Sequence, residues 1–296
     1  MAEARMSAAS TTAAASRFRL RAIPGLAGPA PVIVSVTILA VVVIAAAIAP
    51  LITTFTPDQV DLAATLRPPG TAGHLLGTDS TGRDIFSRVI FGARVSLVPP
   101  LLVTALASAI GITLGVVCGW FGGMVDAGLS RVVDFLFAFP GLLVAMLAVA
   151  LFGRGLTAPT VGLIVAFTPY VARLARNLVI QEKSRPYVEA YRQQGFGNHT
   201  IAFAKVLPNI APTLLAQCAL GFGYALVDLA ALSYLGLGVQ PPTADWGVMV
   251  AEGQDALVQG VAFPVLFPCI AVLLVVVAVN IVGDYLGDKL SGRVAA

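Results

Sequence analysis

Charge is what this sequence has least of. Of 296 residues, 18 are Lys or Arg and 15 are Asp or Glu, 11% in all, where an ordinary soluble domain carries about a quarter. The net charge of +3 is too small to hold a nucleic acid by its phosphates. Imidazole is scarce: His74 and His199 are the two histidines, far apart in the chain. There is no His-Glu-x-x-His and no Cys/His cluster, so nothing in the pattern points to a metal site. Cys118, Cys218 and Cys269 each fall inside an apolar segment and read as small buried hydrophobes, not as a disulfide set. A Walker-type phosphate loop and a Gly-x-Ser-x-Gly elbow are both missing. The Gly-Phe-Gly at 221–223 and the Gly-Leu-Gly at 236–238 read as packing glycines. The chain is therefore expected to be no enzyme and to bind no cofactor of its own.

Apolar side chains take up the room, at 58% of residues and a mean hydropathy of +0.90. Six runs are expected to cross a bilayer: 31–52, 95–120, 135–152, 158–180, 210–237 and 261–282. The fold class is thus an all-α membrane protein with six transmembrane helices. Residues 1–29 are rich in Ala, Ser and Thr with Arg5, Arg17, Arg19 and Arg21, and read as a disordered basic tail. The run after them is too long for the core of a cleaved signal peptide. Residues 30–94 form the first span and a polar loop, 95–290 the remaining transmembrane domain, and 291–296 a short tail. Lys and Arg number 13 on the side of the termini and 5 on the other, which puts both termini in the cytoplasm.

Several residues inside or beside the spans stand out. Gly111, Gly115 and Gly119, four apart, suggest close helix packing. Asp126 and Asp134 read as pairing with Arg131, and Arg173 and Arg176 as reaching the headgroups. In the 53–94 loop, Asp and Arg nearly balance, which suggests a folded loop stitched by ion pairs. Asp228 sits well inside an apolar run. An intramembrane acid is a functional candidate, and a bond to a neighbouring hydroxyl or backbone group is the structural alternative.

The longest polar interruption in the second half is 184–208. It reads as two short helices with a glycine break. Ser184 is placed as N-cap and Pro186 in the first turn. Glu189 and Arg192, three apart, share a face. Gly195 and Gly197 end the first helix, Asn198 caps the second, and Leu207-Pro208 ends it. A hairpin of this kind on the basic side suits docking to a soluble partner.

Glu189-Ala190, Gly195 six residues after the Glu, and Leu207-Pro208 twelve residues further resemble the coupling loop of bacterial ABC importer permeases. Tyr191 stands where that pattern usually has Ala, and Lys205 where it is usually apolar. The string from His74 to Leu97, the Gly-Trp-Phe-Gly-Gly turn with Asp126 and Asp134, and residues 226–247 resemble the peptide-importer branch of the same family. The resemblance covers roughly 31–290. It implies the type I importer fold with a cytoplasmic coupling helix, in a bacterial cytoplasmic membrane. It implies that Glu189, Ala190, Arg192, Gly195, Leu207 and Pro208 serve ATPase coupling, with Asp228 on the translocation path. The implied partners are a second homologous permease, one or two ABC ATPases that carry ATP and Mg, and an extracytoplasmic substrate-binding protein that delivers di- or oligopeptides. Haem, nickel, opines or peptide-like antibiotics are alternative cargoes in that class. The rival class is an ion-coupled carrier using Asp228; a single intramembrane acid and no visible inverted repeat weigh against it.

Overall fold

The computed structural model describes residues 29–290, so the tails expected at 1–29 and 291–296 fall outside the described residues, apart from residue 29. The helices are α1 Pro29–Ala47, α2 Ala49–Ile52, α3 Ile85–Phe121, α4 Gly123–Phe137, α5 Gly141–Phe152, α6 Thr157–Lys183, α7 Pro186–Gln193, α8 Asn198–Thr200, α9 Leu207–Tyr234, α10 Trp246–Glu252, α11 Gln254–Val258 and α12 Phe263–Leu290. Among the described residues there is no strand, only the isolated bridges Thr71–His74 and Thr78–Asp84. Five helical stretches are long and apolar enough to cross a membrane, or six if the bent pair α4 and α5 counts as one span.

α3, α6 and α9 pack on one another at the centre. α12 lies against α9, α1 against α12 and α3, and α5 against α6. The α3–α6 contact is the most extensive, and the glycine stripe explains it. A Cβ on Gly111 would lie 2.8 Å from the Thr168 carbonyl oxygen, and one on Gly119 2.8 Å from that of Arg176. Only hydrogen at these positions lets the two backbones meet. Outer faces keep their apolar side chains exposed, as with Ile33, Val41 and Leu51, which suits contact with lipid tails.

Several expectations change. α3 begins at Asp84, which accepts the Ser87 N–H at 2.8 Å, so the polar loop ends ten residues before the expected boundary at 94. At 1.5 Å per residue, the 37 residues of α3 reach about 55 Å, well beyond the ~30 Å hydrocarbon layer. Hydropathy registers only the apolar part of such a helix. Arg94, expected in the loop, instead donates to the Ala46 and Ala47 carbonyl oxygens at the end of α1, at 2.5 and 2.8 Å.

The third span is not straight. α4 and α5 meet at 83°, because Pro140 opens α5 and keeps Phe139 out of helical backbone. α4 lies across the C-terminal half of α6, and this changes the ion pairs. Asp126 bonds Arg176 at 2.6 Å and Asp134 bonds Arg173 at 2.6 Å, so neither acid takes Arg131 and neither arginine is a free headgroup anchor. Of the three cysteines, all free, Cys118 is buried, Cys218 half-buried and Cys269 exposed, so only one fits the buried reading fully.

Candidate functional site

The 184–208 stretch forms one end of the bundle, the hairpin end. Ser184 closes α6, its hydroxyl donating to the Gln181 carbonyl at 2.8 Å. The N-cap of α7 is Arg185, in extended backbone, with Pro186 in the first turn. The Ser184 cap is thus corrected: α6 runs on to Lys183 and takes up that residue. Gly195 has φ +82°. Its N–H reaches the Arg192 carbonyl at 3.0 Å, and the Phe196 N–H reaches that of Tyr191 at 3.1 Å. These two bonds form a Schellman stop, and the Tyr191 and Phe196 rings pack edge-on across it at 5.3 Å. Gly197, not Asn198, is the next N-cap, with no side-chain bond.

Leu207-Pro208 does not end a helix. α8 continues through a π-helical stretch, Ile201–Val206, into α9, giving one rod Asn198–Tyr234. Pro208 can neither donate an N–H nor tolerate the carbonyl four residues back. The wider π turn just before it absorbs that mismatch without breaking the rod.

Burial divides α7 cleanly. Val188 is buried among Val116, Trp120, Val179, Ile201 and Ile210, with Tyr187 and Tyr191 beside it. Glu189, Ala190 and every residue from Arg192 to Thr200 are exposed. Glu189 and Arg192 stand 3.4 Å apart. Leu207 packs on the same core and Pro208 faces outward. Trp120, at the end of α3, lies under both Lys183 and Arg192, whose cationic groups sit 5.5 and 5.6 Å from its ring. The two departures from the family pattern meet: the Lys205 ammonium lies 5.0 Å over the Tyr191 ring. Burial pushes the Tyr187 phenol up, aided by Glu182, whose carboxylate accepts its O–H at 3.1 Å, and opposed by a hydrogen bond with Asn209.

Asp228 belongs elsewhere, in a cavity of about 490 Å³ between α6 and α9, lined by Phe167, Tyr170, Gln217, Gly221 and Tyr224. The Tyr170 hydroxyl donates to Gln217 Oε1 at 2.9 Å. Asp228 is half-buried, and none of the hydrogen bonds or ion pairs among the described residues involves it. The hydroxyl-bonded alternative for this acid is therefore not realised.

The opposite end, the loop end, holds a site that reading the sequence did not assemble. Arg83 bonds Asp79 at 2.7 Å and Glu252 at 2.9 Å, and Arg88 bonds Glu252 at 2.7 Å. Arg88 also donates to the Pro57 and Pro242 carbonyls. Burial works against the Arg83 cation, but Asp79 and Glu252 outweigh it and hold the guanidinium above its ordinary value. Asp245 caps α10 and accepts the Ser96 hydroxyl at 2.7 Å, while burial pushes its carboxyl above the usual carboxylate range. The visible signal was Glu252, an acid in a loop without bases. Among the described residues no three His, Cys, Asp or Glu side chains converge as a metal site.

Residues 111–294 match the family model of the binding-protein-dependent transport system inner membrane component. The chain belongs to that family. As a permease component it has curated relatives along most of its length. It is 36% identical over 262 residues to the dipeptide transport system permease protein DppC of Alkalihalophilus pseudofirmus, covering 88% of this chain and 86% of that one. It is 37% identical over 258 residues to the di/tripeptide transport system permease protein DppC of Pseudomonas aeruginosa, covering 86% and 85%. A glutathione transport system permease protein of Pectobacterium atrosepticum is 35% identical over 223 residues, covering 75% and 74%. Among solved structures, a chain of the MetNI methionine ABC transporter in inward-facing conformations superposes with a TM-score of 0.56 at 17% identity, over 70% of this chain and 97% of that one. At that identity the likeness speaks for the fold.

Proposed function

We propose that this chain is one of two permease subunits of an ABC importer for di- and oligopeptides, and that α7 is its ATPase-docking helix. The observation that carries the docking role is the split of α7: one face locked into the ends of α3, α6 and α9 through Val188, the other exposed from Glu189 through the Gly195 stop. A helix held this way moves with the spans it packs on. The named relatives for dipeptides and di/tripeptides support the cargo. The charge bias of 13 basic residues to 5 supports a cytoplasmic hairpin end and cytoplasmic termini. The ATPases would bring ATP and Mg, a second permease would complete the path, and a binding protein would deliver peptide at the loop end. ATP binding does transport work here only by favouring one permease state over another, and the same coupling runs back from cargo to ATPase. Glu189, Ala190, Arg192 and Gly195 act as the turned end of a lever, and Leu207 and Pro208 as its root in α9.

Mild-detergent isolation from the native membrane should recover an ATPase and a second permease with this chain. Glu189→Lys reverses charge on the docking face and should cut ATP-driven uptake by about tenfold or more with insertion intact. Uptake at the normal rate would remove α7 from the coupling role. Recovery of this chain alone, active in liposomes without ATP, would favour an ion-coupled carrier working through Asp228.

A further inference from the structure

We propose that the groove between α6 and α9 is a cargo subsite in which Asp228 takes the cationic amino terminus of a peptide and Gln217 bonds its backbone. This rests on the peptide-permease reading above and adds the chemistry of recognition.

Gln217, Gly221, Tyr224 and Asp228 are spaced by four, three and four residues, which puts them on a single stripe of α9. Phe167 and Tyr170, three apart on α6, line the same cavity. From Gln217 to Asp228 the stripe runs about 16 Å at 1.5 Å per residue, and an extended peptide advances roughly 3.3–3.6 Å per residue, so about five residues fit along it. The cavity volume of about 490 Å³ is that of an ordinary small-ligand pocket. Asp228 lies six residues before the end of α9 at the loop end, and Gln217 lies deeper. Cargo arriving from the loop end meets the acid first.

Asp228 is the one charged side chain lining the cavity, with no Lys or Arg beside it. An unpaired carboxylate among apolar groups attracts a cation far more strongly than one in water, and the rings of Phe167, Tyr170 and Tyr224 favour the same sign. A bare divalent metal would need six or more oxygen ligands, and a single carboxylate beside two phenols and an amide falls short. A primary ammonium needs only hydrogen-bond acceptors and aromatic faces. Because Gln217 accepts from Tyr170 through its Oε1, its amide N–H groups remain for a peptide carbonyl.

The test uses the assembled transporter, with both permeases, ATPases and binding protein, in liposomes. The three native cysteines are replaced and Gly221→Cys is introduced; a Cβ there meets only Thr104 Cγ2 at 3.9 Å, an ordinary contact. The introduced thiol should react with an ethylammonium methanethiosulfonate about tenfold faster than with the ethylsulfonate analogue, and Asp228→Asn should bring the two rates within about twofold. Free alanyl-alanine should slow labelling, and its N-acetyl form should not. Asp228→Glu should keep the cation preference, which guards against an Asn variant that fails to assemble. Equal rates with Asp228 present, or equal protection by the acetylated peptide, would overturn the subsite. ATP-driven uptake of alanyl-alanine by the cysteine-replaced parent separates the two readings. Uptake without charge selectivity sinks the subsite alone, and no uptake of any peptide sinks the cargo assignment itself.

Discussion

At the loop end, Arg83 and Arg88 are 5% and 1% exposed, and both find Glu252 while Arg83 also holds Asp79. At the hairpin end, Glu189 and Arg192 stand in solvent at 3.4 Å, their side chains 60% and 40% exposed. The loop end brings its charges out of water, so each must be answered from within the chain. Two loops far apart in sequence are thereby tied into one cap. The hairpin end leaves Glu189 and Arg192 wet and weakly paired, over a buried root of Val188, Ile201 and Val206 beside which Glu182 is answered by Tyr187 and Arg185. One end is completed by the chain itself; the other presents a surface that another protein can complete.

Substitutions at the two ends should break this comparison in unequal steps. Arg88→Ala should do the most damage, because it removes one of the two arginines on Glu252 and leaves two loop carbonyls without their donor; a loss of about 3 kcal/mol is expected, read as a lower unfolding midpoint in detergent. An unchanged midpoint would mean that the cap carries no stability. Gly195→Val forces a β-branched side chain to φ +82° and should cost about 1–2 kcal/mol, with the damage confined to the hairpin and visible as faster proteolysis there. The Tyr191–Lys205 contact, tested by a double-mutant cycle to Ala, should show a coupling of about 0.5–1 kcal/mol; zero coupling would make the two departures from the family pattern independent. Smallest of all, Glu189→Lys should move the unfolding midpoint by no more than about 0.5 kcal/mol while suppressing uptake. A stability loss as large as that of Arg88→Ala would show that Glu189 is structural.

Much of the hairpin was legible because its signals are local. Pro186 in a first turn, Glu189 and Arg192 three apart, and Gly195 where the backbone must turn left-handed are all decided within a few residues. The caps at Ser184 and Asn198 are each off by one residue: Ser184 is the C-cap of α6 and Asn198 already opens α8, so Arg185 and Gly197 hold the N-cap positions. Asp126 and Asp134 were assigned to Arg131 by closeness in sequence, yet the bend at Pro140 carries them to Arg176 and Arg173. Glu252 showed no partner until the two loops met.

Legible from the residues alone were the number and approximate places of the apolar stretches, the glycine spacing that lets α3 and α6 touch, and the turn that exposes Glu189. These follow from hydropathy, helical period and backbone sterics, all short-range. It took the packed molecule to show that α4 lies across α6, that α8 and α9 are one rod through Pro208, that Arg83 and Arg88 share Glu252, and that Asp228 faces a groove without a partner. Those outcomes depend on which distant segments pack together, and a buried charge or a proline takes its role from the neighbours that packing supplies.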